Sequence, residues 1–137
     1  MLVFGYGTLR QDYHPESRMR FVGPATMKGE LWVIDGGPRY GIWAGVARGE
    51  GTVFGHLFEG PDDMLVALDR RERCSHGNPA ESVYHREQID VQIEGVTLHD
   101  VWVYIIAGAA RKMEQVASGN WDDRPSWLNA ATGSRIK

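Results

Sequence analysis

Ser82–Ile106, SVYHREQIDVQIEGVTLHDVWVYII, is the stretch whose reading decides the fold. Ile89, Val91 and Ile93 alternate with polar residues, the period of a strand with one buried face. Gly95 marks a turn, and Leu98–Ile106 returns as the hairpin partner. Two strands joined by so short a connection must run antiparallel.

Upstream, Thr52–Glu59 reads as another strand, and its internal Gly55 predicts a bulge or a close backbone approach. Met27–Ile34 has apolar residues on both faces, as in a strand covered on both sides. Tyr40–Ala47 reads as a strand or an inward-packing loop, and Phe21–Pro24 as a short extended piece ended by Gly-Pro. Turn signals fall at Asp35–Pro38 and Gly49–Gly51. Met1–Phe4 is a short apolar strand at the start.

The clearest helix opens at Gly60-Pro61-Asp62-Asp63, with apolar Met64, Leu65 and Leu68 and basic Arg70, Arg71 and Arg73 near its end. Pro15, between His14 and Glu16, suits the start of a short helix. Ala109–Ala117 reads as a further helix, with Met113 and Val116 inward and Gly119 as its stop. Residues 120–137 form a loop-like tail with two anchoring tryptophans, Trp121 and Trp127. Strands dominate, and the helices come singly rather than in regular alternation, which argues against a doubly wound sheet. The expectation is one domain over residues 1–137 of the α+β class: a mixed, mainly antiparallel small β-barrel flanked by two or three helices.

The chain has 137 residues, a net charge of −3 and 24% charged residues. That is enough length for a real core, and it lacks the basic clustering of a nucleic-acid face. No apolar run is long enough to span a bilayer, so no membrane partner is expected. Cys74 is the single cysteine, which excludes an internal disulfide and fits a reducing compartment. The N-terminus lacks the pattern of a secretory signal, and the expected location is cytoplasmic. The five histidines show no ligand spacing with acids or cysteines, so no metal is expected. Nothing around Cys74 marks it as an activated nucleophile.

The first strand runs into Gly5-Tyr6-Gly7-Thr8-Leu9-Arg10. Two glycines in a strand-ending turn let the backbone approach a ligand, and its unpaired N–H groups suit an anion. Taken alone, the turn fits phosphate as well as carboxylate, but neither a P-loop lysine nor a basic cluster follows.

Several separated pieces agree on a family. FGYGTLR at the start resembles the YGTL turn of the γ-glutamylcyclotransferase-like family, which includes γ-glutamylamine cyclotransferases and AIG2-like proteins. GELWVIDGGPRYGIW resembles its second block, and VFGHLFEGPDDMLVALDRRE its third, a strand and helix ending in Leu-Asp and a Glu three residues on. Tyr84-His85-Arg86 resembles its Tyr-x-Arg, and Val103-Tyr104 a later strand tyrosine. The likeness covers residues 1–106.

The resemblance implies a mixed barrel with a cavity beside the YGTL turn, and a reaction that needs no cofactor. In that reaction the α-amine of a small-molecule γ-glutamyl substrate attacks its own γ-amide carbonyl, giving 5-oxoproline and a released amine. The implied catalytic residue is Glu72, and the implied substrate-binding residues are Tyr6, Gly7, Thr8, Leu9, Tyr84 and Tyr104. The chemistry asks for tight positioning and for one carboxyl group able to take and return a proton near neutral pH. Without the resemblance, Glu72 is one acid in the charge run Asp69–Arg73, and such runs are commonly solvated. Two other readings are a non-catalytic module of the same fold that binds a small carboxylate, and a pure interaction domain with Glu72 exposed. The sequence departs from the family pattern at Arg73, where Gly is frequent, at Gly5, and in a longer segment between Glu72 and Tyr84.

Overall fold

A computed structural model describes residues 1–7, 18–72, 74 and 79–128. Among them the order is β1 (Leu2–Gly5), β2 (Arg20–Asp35), β3 (Ile42–Glu59), α1 (Met64–Arg71), β4 (Tyr84–Ile93), β5 (Val96–Ile106) and β6 (Arg111–Val116). Short 3₁₀ turns occupy Pro79–Glu81 and Trp121–Asp123. No helix among these residues is long and apolar enough to cross a membrane.

The strands pair in a ring. β3 pairs antiparallel with β1 and β2, β2 meets β4 at Thr26 and Gln92, and β4 pairs antiparallel with β5. One parallel contact, Val3 with Trp102, joins β5 to β1 and closes the circuit. This is the expected mainly antiparallel architecture with few helices.

Alternate residues face opposite ways along each strand, and the apolar ones sort into two clusters. Phe4, Leu31, Val33, Val46, Val53, Leu57, Val91, Val101 and Val103 form one, together with Tyr6 and Trp121. Val3, Ile34, Tyr84 and Tyr104 belong to the other, where Leu68 of α1 packs down on them. Strands apolar on both faces are therefore covered on both, as Met27–Ile34 predicted.

Three expectations need correction. Gly49–Gly51 does not turn the chain, and Gly23-Pro24 does not end a strand. β3 runs unbroken for 18 residues and β2 for 16. Their mutual ladder carries both segments through, with irregularities at Phe21/Gly23 and Lys28/Glu30. Local turn propensity yields here to long-range pairing. Ala109–Ala117 is not a helix either. Arg111–Val116 is strand β6, which adds to β2 along Leu31–Asp35. Its residues favour helix locally, but as a strand they satisfy the open edge of β2. Charged side chains suit that outer position, and only Val116 is buried.

Of the two tryptophans expected to anchor the tail, one is buried in the core and the other lies at the surface. Trp121 and Leu128 are fully buried in the first cluster, whereas Trp127 stays half-exposed and donates to Glu114 Oε1 at 3.3 Å. Asp122 and Asp123 lie in the 3₁₀ turn capped by Asn120, whose Oδ1 accepts from the Asp122 N–H at 3.0 Å. The helix start at Pro15 lies outside the described residues.

Candidate active site

Glu72 sits where α1 ends, with φ −90° and ψ 8°. Its N–H still donates to the Leu68 carbonyl at 2.9 Å, so the helix fixes its backbone. The amphipathic pattern that buries Leu68 also turns the positions near it on the helix toward the sheet. Glu72 is therefore buried, at 6% exposure, and so is Asp69 one turn earlier at 8%.

The Glu72 side chain enters a cavity lined by Tyr6, Gly7, Trp43, Ala44, Tyr84 and Tyr104. The cavity is narrow, about 20 Å³ as measured by the centres of water-sized spheres, room for about one water. Gly7 is there for a steric reason: a Cβ at this position would lie 2.6 Å from the Ala44 Cβ. The chain leaving β1 thus passes against β3 at backbone distance.

The tyrosines around the cavity are held by their own hydroxyls. Tyr6 donates to the Tyr104 carbonyl, Tyr84 donates to the Ala44 carbonyl, and Tyr104 donates to Asp69 Oδ1 at 2.7 Å. Asp69 also accepts from Arg86 Nε at 2.7 Å, and the Arg86 guanidinium lies 4.4 Å from the centre of the Trp102 ring. Asp69, Arg86 and Tyr104 thus tie the end of α1 to β4 and β5.

Glu72 is placed differently. Its Oε2 accepts from the Tyr40 hydroxyl at 3.1 Å, and Arg71 Nε stands 4.0 Å from Oε1. Burial raises the Glu72 pKa to about 7, against the opposing effects of Arg71 and the Tyr40 hydrogen bond. A carboxyl group of that pKa can both accept and return a proton at neutral pH. Burial, followed by the charge of Glu72, pushes the hydroxyls of Tyr6 and Tyr40 up. Burial likewise raises the Tyr84 and Tyr104 hydroxyls, so all four stay protonated. The Cys74 thiol is also pushed up by burial, the opposite of what an activated nucleophile needs.

Two wider hollows open elsewhere on the ring, one beside Phe54, Gln92 and Asn120 and one around Arg48 and Glu87. Their acids are exposed or half-buried, and in the second Arg48 pairs with Glu87. Size aside, the cavity at Glu72 is where a titratable group has been moved toward neutrality.

Five of the expected site residues, Tyr6, Gly7, Glu72, Tyr84 and Tyr104, therefore line one cavity. Thr8 and Leu9 lie outside the described residues. Reasoning from sequence missed Tyr40, in the turn between β2 and β3, and Trp43 and Ala44, at the start of β3, none of which carries a chemical signature of its own. It also gave no role to Asp69 and Arg86, although both stand inside the quoted LDxxE and Tyr-x-Arg motifs.

A family profile described as γ-glutamyl cyclotransferase, AIG2-like, matches residues 3–123. The chain belongs to this family. No curated protein sequence matches it significantly. Among solved structures, a γ-glutamyl cyclotransferase is similar over 100% of this chain and 88% of its own, with TM-score 0.65 and 14% identity. An AIG2-like protein from Mus musculus aligns over 78% of this chain and 77% of its own, with TM-score 0.55 and 24% identity. YkqA from Bacillus subtilis aligns over 97% of this chain with TM-score 0.63 and 20% identity, and this chain spans 42% of its length. At these identities the structural neighbours establish the γ-glutamyl cyclotransferase fold.

Proposed function

We propose that this family member cyclises the γ-glutamyl group of a γ-glutamyl-amine or γ-glutamyl-amino acid to 5-oxoproline and releases the amine. The observation that carries this reading is the Glu72 carboxyl buried in a cavity bordered by Tyr6 and Gly7, where burial raises its pKa.

The substrate's α-amine is an ammonium at pH 7. Glu72, as carboxylate, takes one of its protons and frees the lone pair. The amine nitrogen attacks the γ-carbonyl carbon, and a C–N bond forms to close a five-membered ring. The carbonyl oxygen becomes an oxyanion in the tetrahedral intermediate, and the backbone N–H groups of Tyr6 and Gly7, which border the cavity, are suited to hold it or the substrate's α-carboxylate. The bond to the acceptor nitrogen then breaks as Glu72 returns its proton there. The ring nitrogen loses its remaining excess proton by the same route, so the acceptor leaves as an ammonium. The cavity's contribution is the folded shape of the glutamyl chain, because the reaction is intramolecular and depends on geometry. Since only the carboxylate form of Glu72 can act as base, activity rises with pH through about 7.

The test is 5-oxoproline release from γ-glutamyl-ε-lysine, γ-glutamyl-alanine and glutathione. The expected result is turnover of at least one, with Glu72→Gln lowering the rate about 10³-fold. Undiminished release by Glu72→Gln would remove Glu72 from its role. Thermal stabilisation by glutamate or 5-oxoproline with no turnover of any substrate would replace the enzyme with a binding module.

A further inference from the structure

Among the described hydrogen bonds around the cavity, the tyrosine hydroxyls divide in purpose. Those of Tyr6, Tyr84 and Tyr104 go to two backbone carbonyls and to Asp69. The Tyr40 hydroxyl goes to Glu72 itself, at 3.1 Å from Oε2, with the Arg71 carbonyl a longer alternative acceptor at 3.5 Å. Tyr40 comes from the turn between β2 and β3, so its hydroxyl reaches Glu72 from outside the helix that carries it. That turn is built to hold one shape. Gly37 and Gly41 take φ values of +98° and +92°, where side chains are disfavoured. Asp35 Oδ1 accepts from the Gly37 N–H at 2.9 Å. The Gly41 N–H donates to the Gly37 carbonyl at 2.8 Å. The Tyr40 ring is wedged 5.0 Å from Trp43 and 6.1 Å from Tyr84, centre to centre, and its carbonyl accepts from the Trp43 indole N–H. A residue held this firmly delivers its hydroxyl to a fixed point.

We infer that Tyr40 is a positioning residue: its hydroxyl holds Oε2 of Glu72, so that Oε1 is the oxygen that takes and returns the substrate's proton. This rests on the reading of Glu72 as the proton carrier. A glutamate carboxylate, carried on three rotatable bonds, presents either oxygen unless one is engaged, and a fixed donor removes that ambiguity. The proton taken from the substrate ammonium goes onto Oε1 and leaves from Oε1 to the departing nitrogen, while the Tyr40 O–H keeps its own proton throughout. The Oε2 hydrogen bond also favours the ionised form of Glu72 and so opposes its burial. The other ionisable groups facing this carboxyl are Arg71 on its own helix, Cys74 just beyond it, Tyr6 after β1, Tyr84 on β4 and Tyr104 on β5. Of these, only Arg71 carries a charge at neutral pH, and it stands 4.0 Å from Oε1.

The experiment is Tyr40→Phe, which keeps the ring against Trp43 and removes only the donor. The Glu72 side-chain carboxyl is titrated by ¹³C NMR in the substrate-free protein, and the pH profile of 5-oxoproline release is measured beside it. The expected midpoint for Glu72 moves up by about one pH unit. The acid limb of kcat/KM moves with it, and kcat above the limb falls about tenfold with KM little changed. Tyr40→Leu, which loses the ring as well, should add a fall in Tm. A purely packing role would leave the midpoint and the limb of Tyr40→Phe superimposed on wild type, and that result overturns the inference. If wild type turns over no substrate, the proposed reaction fails by itself. The titration then still decides the Tyr40–Glu72 link, and an unmoved midpoint refutes it.

Discussion

Asp69 and Glu72 leave the same helix one turn apart, and both are almost wholly withdrawn from solvent. Their surroundings are opposite. Asp69 faces a guanidinium at 2.7 Å and a tyrosine hydroxyl at 2.7 Å. Glu72 faces a cavity, with one hydroxyl at 3.1 Å and a half-exposed guanidinium at 4.0 Å. Burial penalises the charged form of both, but only the first has an opposite charge at hydrogen-bond distance to offset it. The lesson is that depth alone does not make a buried acid chemically available. What matters is which partners the fold supplies at that depth. An acid already committed to an arginine braces the structure, whereas one left short of partners keeps a pKa near 7 and can trade a proton.

The sharpest way to break this comparison is to make the same change at both sites, from carboxylate to amide. Asp69→Asn leaves the mostly buried Arg86 without its counter-charge. Its expected cost is about 3–4 kcal/mol at neutral pH, read as a lower urea midpoint. A loss below about 1 kcal/mol would show that the pair is solvated and that Asp69 is no brace.

Glu72→Gln should do the reverse. The folded pKa of Glu72 is raised to about 7 from the usual 4.5, so the native state binds more protons than the unfolded chain between those values. Wild-type stability therefore falls as pH rises through that window, and above it the ionised, buried Glu72 costs about 3 kcal/mol. The neutral amide avoids this cost. Urea unfolding should find Glu72→Gln about equal to wild type at pH 4 and more stable by up to about 3 kcal/mol at pH 8. Equal stability at both pH values would mean that Glu72 is solvated in the folded state. Gain of stability together with loss of activity is what a site held for chemistry at the expense of folding predicts.

How legible this contrast is from sequence follows from what distinguishes the two acids. The β4–β5 hairpin was readable because alternation and a glycine turn are local signals, and α1 was readable for the same reason, although it begins at Met64 and leaves Pro61–Asp63 in a preceding turn. Glu72, Tyr6, Gly7, Tyr84 and Tyr104 were marked by resemblance, and they do line one cavity. β6 and the unbroken lengths of β2 and β3 were not readable, since distant pairing decides them. Nor was the difference between Asp69 and Glu72. In the run Asp69-Arg70-Arg71-Glu72-Arg73 both acids stand beside arginines. The partner that tells them apart, Arg86, lies 17 positions away, and Tyr40 lies 32 positions from Glu72.

The smallest expected effect sharpens the comparison from the side of Tyr104. Its hydroxyl donates to Asp69, while its backbone carbonyl accepts from Tyr6 at the cavity. The residue therefore touches both environments through different atoms. Tyr104→Phe deletes the first contact and keeps the second, along with the ring that packs 6.5 Å from Tyr84. Asp69 retains Arg86, so no charge is stranded, and the expected loss is about 1–2 kcal/mol. If the two acids are independent, the acid limb of the activity profile should stay in place in Tyr104→Phe, because no donor to Glu72 has been removed. A limb that moves as far as it does in Tyr40→Phe would mean that Asp69 and Glu72 titrate as one coupled unit. The brace and the proton carrier would then be parts of a single network.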